Sequence, residues 1–312
     1  MHSGQVRVER RLAAILAAGN PIGWWAKRCL IILLSALGMA EAQGQPVAEP
    51  QLYTEVFYYS GPLRIQAYLY RPPGNGPFPL VIYNHGSREN RERESRPFSY
   101  VGGILLQSGY AVLVPERRGY GRSDGLTFSE EMRQTLGRRG AAVESPQFVG
   151  RLQAEGDDVL SALEFIRTLP FVDQRRLGIM GWSFGGIVTI FAASRSDAFR
   201  AVVDQAGGAF TWNYSPALRE ALPTAAQQVR APVLLMVAQN DATTASITTI
   251  ADVLRRHNPA TEMIIYPPFT PSGPALAPGH ATFSAQGTAI WENDIRSFFA
   301  KYLGGGTAPM RR

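Results

Sequence analysis

Short, unbroken apolar runs recur along the chain at residues 79–83 (PLVIY), 110–114 (YAVLV), 177–180 (LGIM), 201–203 (AVV), 233–237 (VLLMV) and 263–266 (MIIY). A strand with one wet face alternates apolar and polar residues, whereas a run without alternation needs cover on both faces. Between these runs lie helix-like patterns at residues 103–108, 157–169, 185–194, 246–257 and 290–303. Strands alternating with helices predict an α/β chain: a mainly parallel, twisted sheet of about eight strands with helices on both faces. Ahead of the first run, residues 52–59 and 63–71 are β-rich and split by Ser60-Gly61-Pro62, which predicts an N-terminal antiparallel hairpin. Two stretches break the rhythm. Residues 126–151 carry many charges and little periodicity, and residues 207–230 hold Trp212, Tyr214, Pro216 and Pro223. Both follow a strand's C-terminal end, where open α/β sheets bind their ligands. They are candidate pocket walls or lids, or else ordinary surface excursions.

Gly181-Trp182-Ser183-Phe184-Gly185, followed by Gly186, falls between the run at 177–180 and a helical pattern. This is G-x-S-x-G in the strand–turn–helix setting of a nucleophile elbow. Gly181 and Gly185 flank the serine because a side chain at either position would strike the adjoining strand or helix. Ser183 is therefore the candidate nucleophile, and its hydroxyl needs a base to take the proton. Four histidines allow elimination. His2 lies in a segment predicted to be removed, His85 belongs to another motif, and His257 ends a polar helix segment where a solvated role suffices. His280, in the loop Pro278-Gly279-His280-Ala281 after the last strand, would overhang the sheet edge that carries Ser183. It is the predicted base. The carboxylate that fixes its tautomer should lie between the two at a strand end. Asp241, after the run at 233–237, fits, with Asp204 at the end of the preceding strand as second candidate. The backbone amides of Phe184 and Ser87 are the predicted oxyanion donors. In Asn84-His85-Gly86-Ser87, Gly86 allows close approach and His85 orients the loop. Trp182, Trp212 and Tyr214 are candidate walls of an apolar pocket.

Taken together, His85-Gly86, Arg118-Gly119-Tyr120-Gly121-Arg122-Ser123 and Gly181-Trp182-Ser183-Phe184-Gly185-Gly186 resemble the α/β-hydrolase superfamily. The resemblance is closest to its dienelactone-hydrolase-like and prolyl-oligopeptidase-like branches and covers about residues 53–303. It implies the α/β-hydrolase fold, a catalytic domain over residues 43–303, and a triad on Ser183, Asp241 and His280. It implies no metal and no organic cofactor. One departure is that dienelactone hydrolase itself carries a cysteine nucleophile where this chain has Ser183. The expected activity is that of a serine hydrolase, carboxylesterase-like, cleaving a small-molecule carboxylic ester through an acyl-enzyme. An aminopeptidase-like amidase or peptidase would use the same triad but need an acidic anchor for the substrate's amino group. Glu130, Glu131 and Glu144 are the candidates for that anchor. A non-catalytic binding protein on the same fold would be expected to have lost part of the constellation, and every part is present.

Lys27 and Arg28 precede an apolar run at residues 30–40 (LIILLSALGMA), and Ala40-Glu41-Ala42 supplies small residues at A-x-A spacing. This predicts a signal peptide with an N-terminal extension over residues 1–42, cleaved after Ala42. As a helix the run spans about 16 Å, roughly half a bilayer core, so no stable membrane span is expected after cleavage. The expected location is periplasmic or secreted. Cleavage would take 31 basic and 25 acidic residues to 26 and 23, lowering the net charge from +6 to +3, and would remove Cys29, the sole cysteine. No polybasic stripe stands out as a nucleic-acid surface. With 45% hydrophobic and 18% charged residues, wholesale disorder is excluded. Residues 304–312 are predicted to form a flexible tail.

Overall fold

Strand β1 (Tyr53–Ser60) turns through Gly61 into β2 (Leu63–Tyr70), with Tyr53 opposite Tyr70 and Ser60 opposite Leu63. In this computed structural model the described residues are 53–88, 98–136, 145–275 and 277–305. The predicted signal segment 1–42, Glu144 and the predicted tail beyond Gly305 lie outside them.

The apolar runs become β3 (Phe78–Asn84), β4 (Ala111–Pro115), β5 (Val172–Trp182), β6 (Phe199–Gln205), β7 (Val233–Ala238) and β8 (Thr261–Tyr266). They join the hairpin in one eight-stranded sheet of order β1-β2-β4-β3-β5-β6-β7-β8. The β1–β2 and β2–β4 pairings are antiparallel, and every later pairing is parallel. Helices α1 (Ser99–Gln107) and α7 (Thr288–Leu303) pack together over one face. The other face carries α3 (Pro146–Arg167), α4 (Phe184–Ala193), α5 (Pro216–Ala226) and α6 (Ala245–Arg255). Double cover is what the unalternating runs require: all six residues of β7 are buried, as is β3 after Phe78. Each such aliphatic side chain contributes about 1.5–3 kcal/mol by leaving water.

The two irregular stretches are more ordered than their sequences suggest. Helix α2 (Phe128–Leu136) lies inside residues 126–151, and α3 begins at Pro146 rather than near residue 157. Its period was hidden because Arg151, Glu155 and Asp158 occupy buried positions where an apolar stripe is expected. Helix α2 opens on a reciprocal cap: Glu130 N–H donates to Thr127 Oγ1 at 3.2 Å, and Thr127 N–H donates to Glu130 Oε2 at 2.8 Å. In the second stretch, Ser215 Oγ accepts from Leu218 N–H at 3.3 Å and Pro216 occupies the first turn, starting α5.

Candidate active site

Strand β5 delivers the chain to Ser183, whose backbone sits at φ 60°, ψ −120° before α4 departs. A non-glycine residue held there costs on the order of 1–3 kcal/mol and persists only under external constraint. The constraint is visible: Ser183 N–H donates to Gln205 O at 2.9 Å, and Ser183 O accepts from Gly186 N–H at 3.0 Å. The flanking glycines are obligatory. A Cβ on Gly181 would lie 2.2 Å from Gly185 O, and one on Gly185 would lie 1.9 Å from Asn84 O. The turn brings the serine to the C-terminal edge of the sheet, beside the loop that leaves β3.

At the same edge, Asp241 follows β7 and His280 lies in a 3-10 turn, Pro278–Phe283. His280 Nδ1 is 2.9 Å from Asp241 Oδ2 and 3.1 Å from Oδ1, so an Nδ1–H tautomer donates to that carboxylate. The two loops are tied by backbone: Gly279 N–H donates to Asn240 O at 3.2 Å, and a Cβ on Gly279 would stand 2.4 Å from Asp241 N. Asn240 in turn exchanges two bonds with Phe269, at 2.8 and 2.9 Å. The His280 ring lies 5.4 Å from that of Trp182, the neighbour of Ser183, and 4.5 Å edge-on from that of Phe210. Among the described residues no hydrogen bond joins Ser183 Oγ to this imidazole; such contacts tighten when substrate is bound.

Asp204, the second candidate acid, is elsewhere. Fully buried at the end of β6, it receives Gly207 N–H at 2.8 Å and lies against Gly186. Burial pushes its carboxyl up to about 7, partly opposed by the Gly207 bond. His257 is exposed at the end of α6, 3.3 Å from Val229 O.

After β3, Asn84 Nδ2 donates to Thr189 Oγ1 at 2.9 Å, pinning the strand end to α4. A Cβ on Gly86 would be 3.3 Å from the Ser183 Cβ, so this loop lies directly over the elbow. His85 is buried, parallel to the Phe98 ring at 5.6 Å and edge-on to Tyr120, and its Nδ1–H donates to Gly86 O at 2.7 Å. Burial, then the charges of Arg117 and Arg88, hold its imidazole well below the ordinary value, so it is neutral. Glu116 Oε2 stands 3.7 Å from Nε2 and is engaged by Arg88 at 2.7 Å. The Phe184 amide begins α4, and a first-turn N–H has no intrahelical acceptor; the exposed Ser87 amide follows Gly86.

Trp212 is buried in the core and Tyr214 is exposed; the ring this loop sets against His280 is Phe210, which the sequence reading passed over. On the other flank Phe184 meets Phe128 and Phe148 at 5.6 and 5.4 Å, so α2 and α3 wall the elbow. Glu130 is occupied in the cap of α2, and Glu131 is ion-paired with Arg151. Among the described residues no cluster of three or more His, Cys, Asp or Glu side chains is arranged to hold a metal ion, and no helix is long and apolar enough to cross a membrane.

Comparison with known proteins agrees with this architecture. The quorum-quenching protein AidA of Acinetobacter baumannii is 28% identical over 50% of this chain and 44% of its own. Human dipeptidyl peptidase 8 is 28% identical over 48% of this chain but only 16% of its own length. The chain thus matches less than half of either relative. Among solved structures, the Pyrococcus furiosus esterase Pf2001 superposes at a TM-score of 0.59 with 16% identity, over 81% of this chain and 92% of that one. Acylaminoacyl peptidase of Pyrococcus horikoshii does so at 0.60 with 20% identity, over 83% and 43%. A dienelactone hydrolase from Anabaena variabilis gives 0.54 with 22% identity, over 81% and 99%. The fold is that of the α/β-hydrolases. The dienelactone hydrolase family model matches residues 65–283, from within β2 through the turn that carries His280, and the chain belongs to that family.

Proposed function

We propose that this hydrolase cleaves a carboxylic ester with Ser183 as nucleophile, His280 as base and Asp241 as the residue that orients the base. The observation that carries the reading is the strained Ser183 elbow at the sheet edge where Asp241 already holds the His280 ring at 2.9 Å. Ser183 Oγ attacks the carbonyl carbon as His280 Nε2 takes its proton. The Phe184 and Ser87 amides hold the oxyanion, each such donor being worth about 3 kcal/mol. Collapse of the intermediate expels the alcohol, which receives the proton from His280. Water then attacks the acyl-enzyme, giving its proton to His280, and Ser183 leaves protonated as the acid is released. Trp182 and Phe210 flank the reacting region and favour an apolar substrate group.

The peptidase names among the relatives support a second reading, hydrolysis of an amide with the same residues. Against it, Glu130 and Glu131 are already engaged within the protein. A p-nitrophenyl ester run beside an aminoacyl p-nitroanilide separates the two readings. A fluorophosphonate probe should label the wild type and leave Ser183→Ala unlabelled; an unreactive wild type would remove the catalytic reading in favour of a binding protein. We also propose export to the periplasm or medium after cleavage behind Ala42, which an intact mass beginning at Gln43 would support and an uncleaved chain would refute.

A further inference from the structure

Beneath the loop that carries Ser87 lies a buried chain of charge. Arg117, two residues beyond the end of β4, is fully buried; its Nε donates to Glu155 Oε2 at 2.7 Å and its Nη2 donates to the His85 carbonyl at 2.9 Å. The other Glu155 oxygen accepts from Arg151 Nε at 3.0 Å, and Arg151 also donates to Arg118 O at 2.7 Å and Leu126 O at 3.0 Å. Burial pushes the Glu155 carboxyl up, but the charges and hydrogen bonds of Arg117 and Arg151 outweigh it, leaving the group below the ordinary carboxylate value and ionised. Burying this much charge is expensive unless every geometry is satisfied. Stability alone is a poor account of it, since an apolar filling commonly serves as well.

The His85 carbonyl is where three parts of the site meet. Arg117 holds it from below, and the backbone of the elbow abuts it from the side: a Cβ on Gly185 would be 2.6 Å from His85 O. In a trans peptide the C=O and N–H of one unit point in opposite directions. Fixing His85 O inward therefore fixes the following N–H outward. The bond from His85 Nδ1–H to Gly86 O does the same for the next unit, whose N–H belongs to Ser87.

We propose that Arg117 is the positioning residue of the oxyanion hole: its guanidinium, aligned by Glu155, fixes the His85–Gly86 peptide unit and so anchors the His85 residue whose ring bond to Gly86 O orients the next unit, the one that carries the Ser87 amide. The inference rests on the serine-hydrolase reading. It assigns a purpose to the arginine ahead of the Arg118–Ser123 motif, whose tight turn, with Gly119 and Gly121 at φ 80° and 51°, brings Arg117 under the loop. Glycine is required at the first of these, because a Cβ there would lie 1.9 Å from Leu126 O.

The test compares wild type, Arg117→Met, Arg117→Lys and Glu155→Gln in hydrolysis of p-nitrophenyl acetate. It adds inhibition by an alkyl trifluoromethyl ketone, whose serine adduct puts an oxyanion in the hole, and by the matching methyl ketone, which reports ordinary binding. Arg117→Met should lower kcat about 30- to 100-fold with KM within about threefold, and weaken the trifluoromethyl ketone by a similar factor while sparing the methyl ketone. Arg117→Lys should recover part of the loss, and Glu155→Gln should show a smaller loss of the same pattern. If Arg117→Met does not fold, the other two variants carry the test on the same criteria. A folded variant with wild-type kcat overturns the assignment, and so does equal weakening of both ketones, the mark of a generally deformed pocket. A wild type inert to both ester and fluorophosphonate overturns the serine-hydrolase reading itself, whereas an active wild type with unaffected variants overturns only the role of Arg117.

Discussion

Two aspartates end neighbouring strands, in different surroundings. Among the described residues Asp241 meets a histidine, whereas Asp204 is hydrogen-bonded only by backbone and one of its oxygens lacks a partner. The Asp204 carboxyl titrates near 7 in the folded chain, against 3.8 when unperturbed. The unfolded state therefore loses this proton first as pH rises, so folding stability declines between about pH 4 and 7 and is level above that. The linked loss is on the order of 4 kcal/mol. Asp204→Asn removes the titration. Its stability relative to wild type should rise across that interval in urea melts, while ester hydrolysis persists; a pH-independent difference, or a loss of activity matching Asp241→Asn, would contradict this expectation. From the sequence alone both aspartates sat at strand ends and chain order allowed either. What decided between them was which one reaches His280, a property of loop geometry with no local signature. Phe210 was hidden for a related reason, since a phenylalanine among Trp212 and Tyr214 carries no mark of which ring turns toward the site.

Among the elements, the strand–turn–helix at Ser183 was the most legible, because its steric demands are written as glycines at fixed offsets. The structure turns that pattern into distances, and the distances into outcomes. Gly185→Ala would force a methyl to within 1.9 Å of Asn84 O, a clash costing on the order of 4 kcal/mol or more. The expected result is insoluble protein or a folded chain that no longer takes a fluorophosphonate label; a soluble, fully labelled variant would mean the elbow and the β3 loop are not so close. Gly150, exposed in α3 with no heavy atom within 4 Å of the added methyl, is the counter-case. Gly150→Ala should raise stability by about 0.5–1 kcal/mol, read as a later urea midpoint, by restricting the unfolded chain and favouring the helix. In helix α3 only the second half was legible in advance. Its buried face sets Arg151, Glu155 and Asp158 among Phe148, Leu152 and Val159, and a periodicity argument takes such charged residues for a solvated surface. Their partners, Arg117 and Arg118, come from a distant segment, so the compensation that makes the burial tolerable appears only in three dimensions.

Across the whole molecule the candidate site is distributed over the ends of β3, β5 and β7 and the turn after β8, while the core beneath belongs to no single part of the chain. The alternation of apolar runs and helices made that sheet legible, and with it the edge where the residues meet. The order of the strands follows from the hairpin lying beyond β4 and from the crossing of β3 and β4, which local patterns do not encode. This distribution couples packing on the far side of a helix to chemistry at the edge. Trp291 of α7 is fully buried, and its indole N–H donates to Thr282 O at 2.8 Å, two residues beyond His280. Trp291→Phe keeps an aromatic ring but leaves a buried carbonyl unpaired and a gap beside it, at a combined cost of about 2–3 kcal/mol. Because that carbonyl belongs to the turn bearing His280, the proposed base, the same change should lower kcat on a p-nitrophenyl ester more than it raises KM. Urea melts and steady-state kinetics on one preparation would check both. A destabilised variant with unaltered kcat would show that the turn is held by the Asn240 backbone contacts alone, and that the helix behind it supports the fold without steering the imidazole.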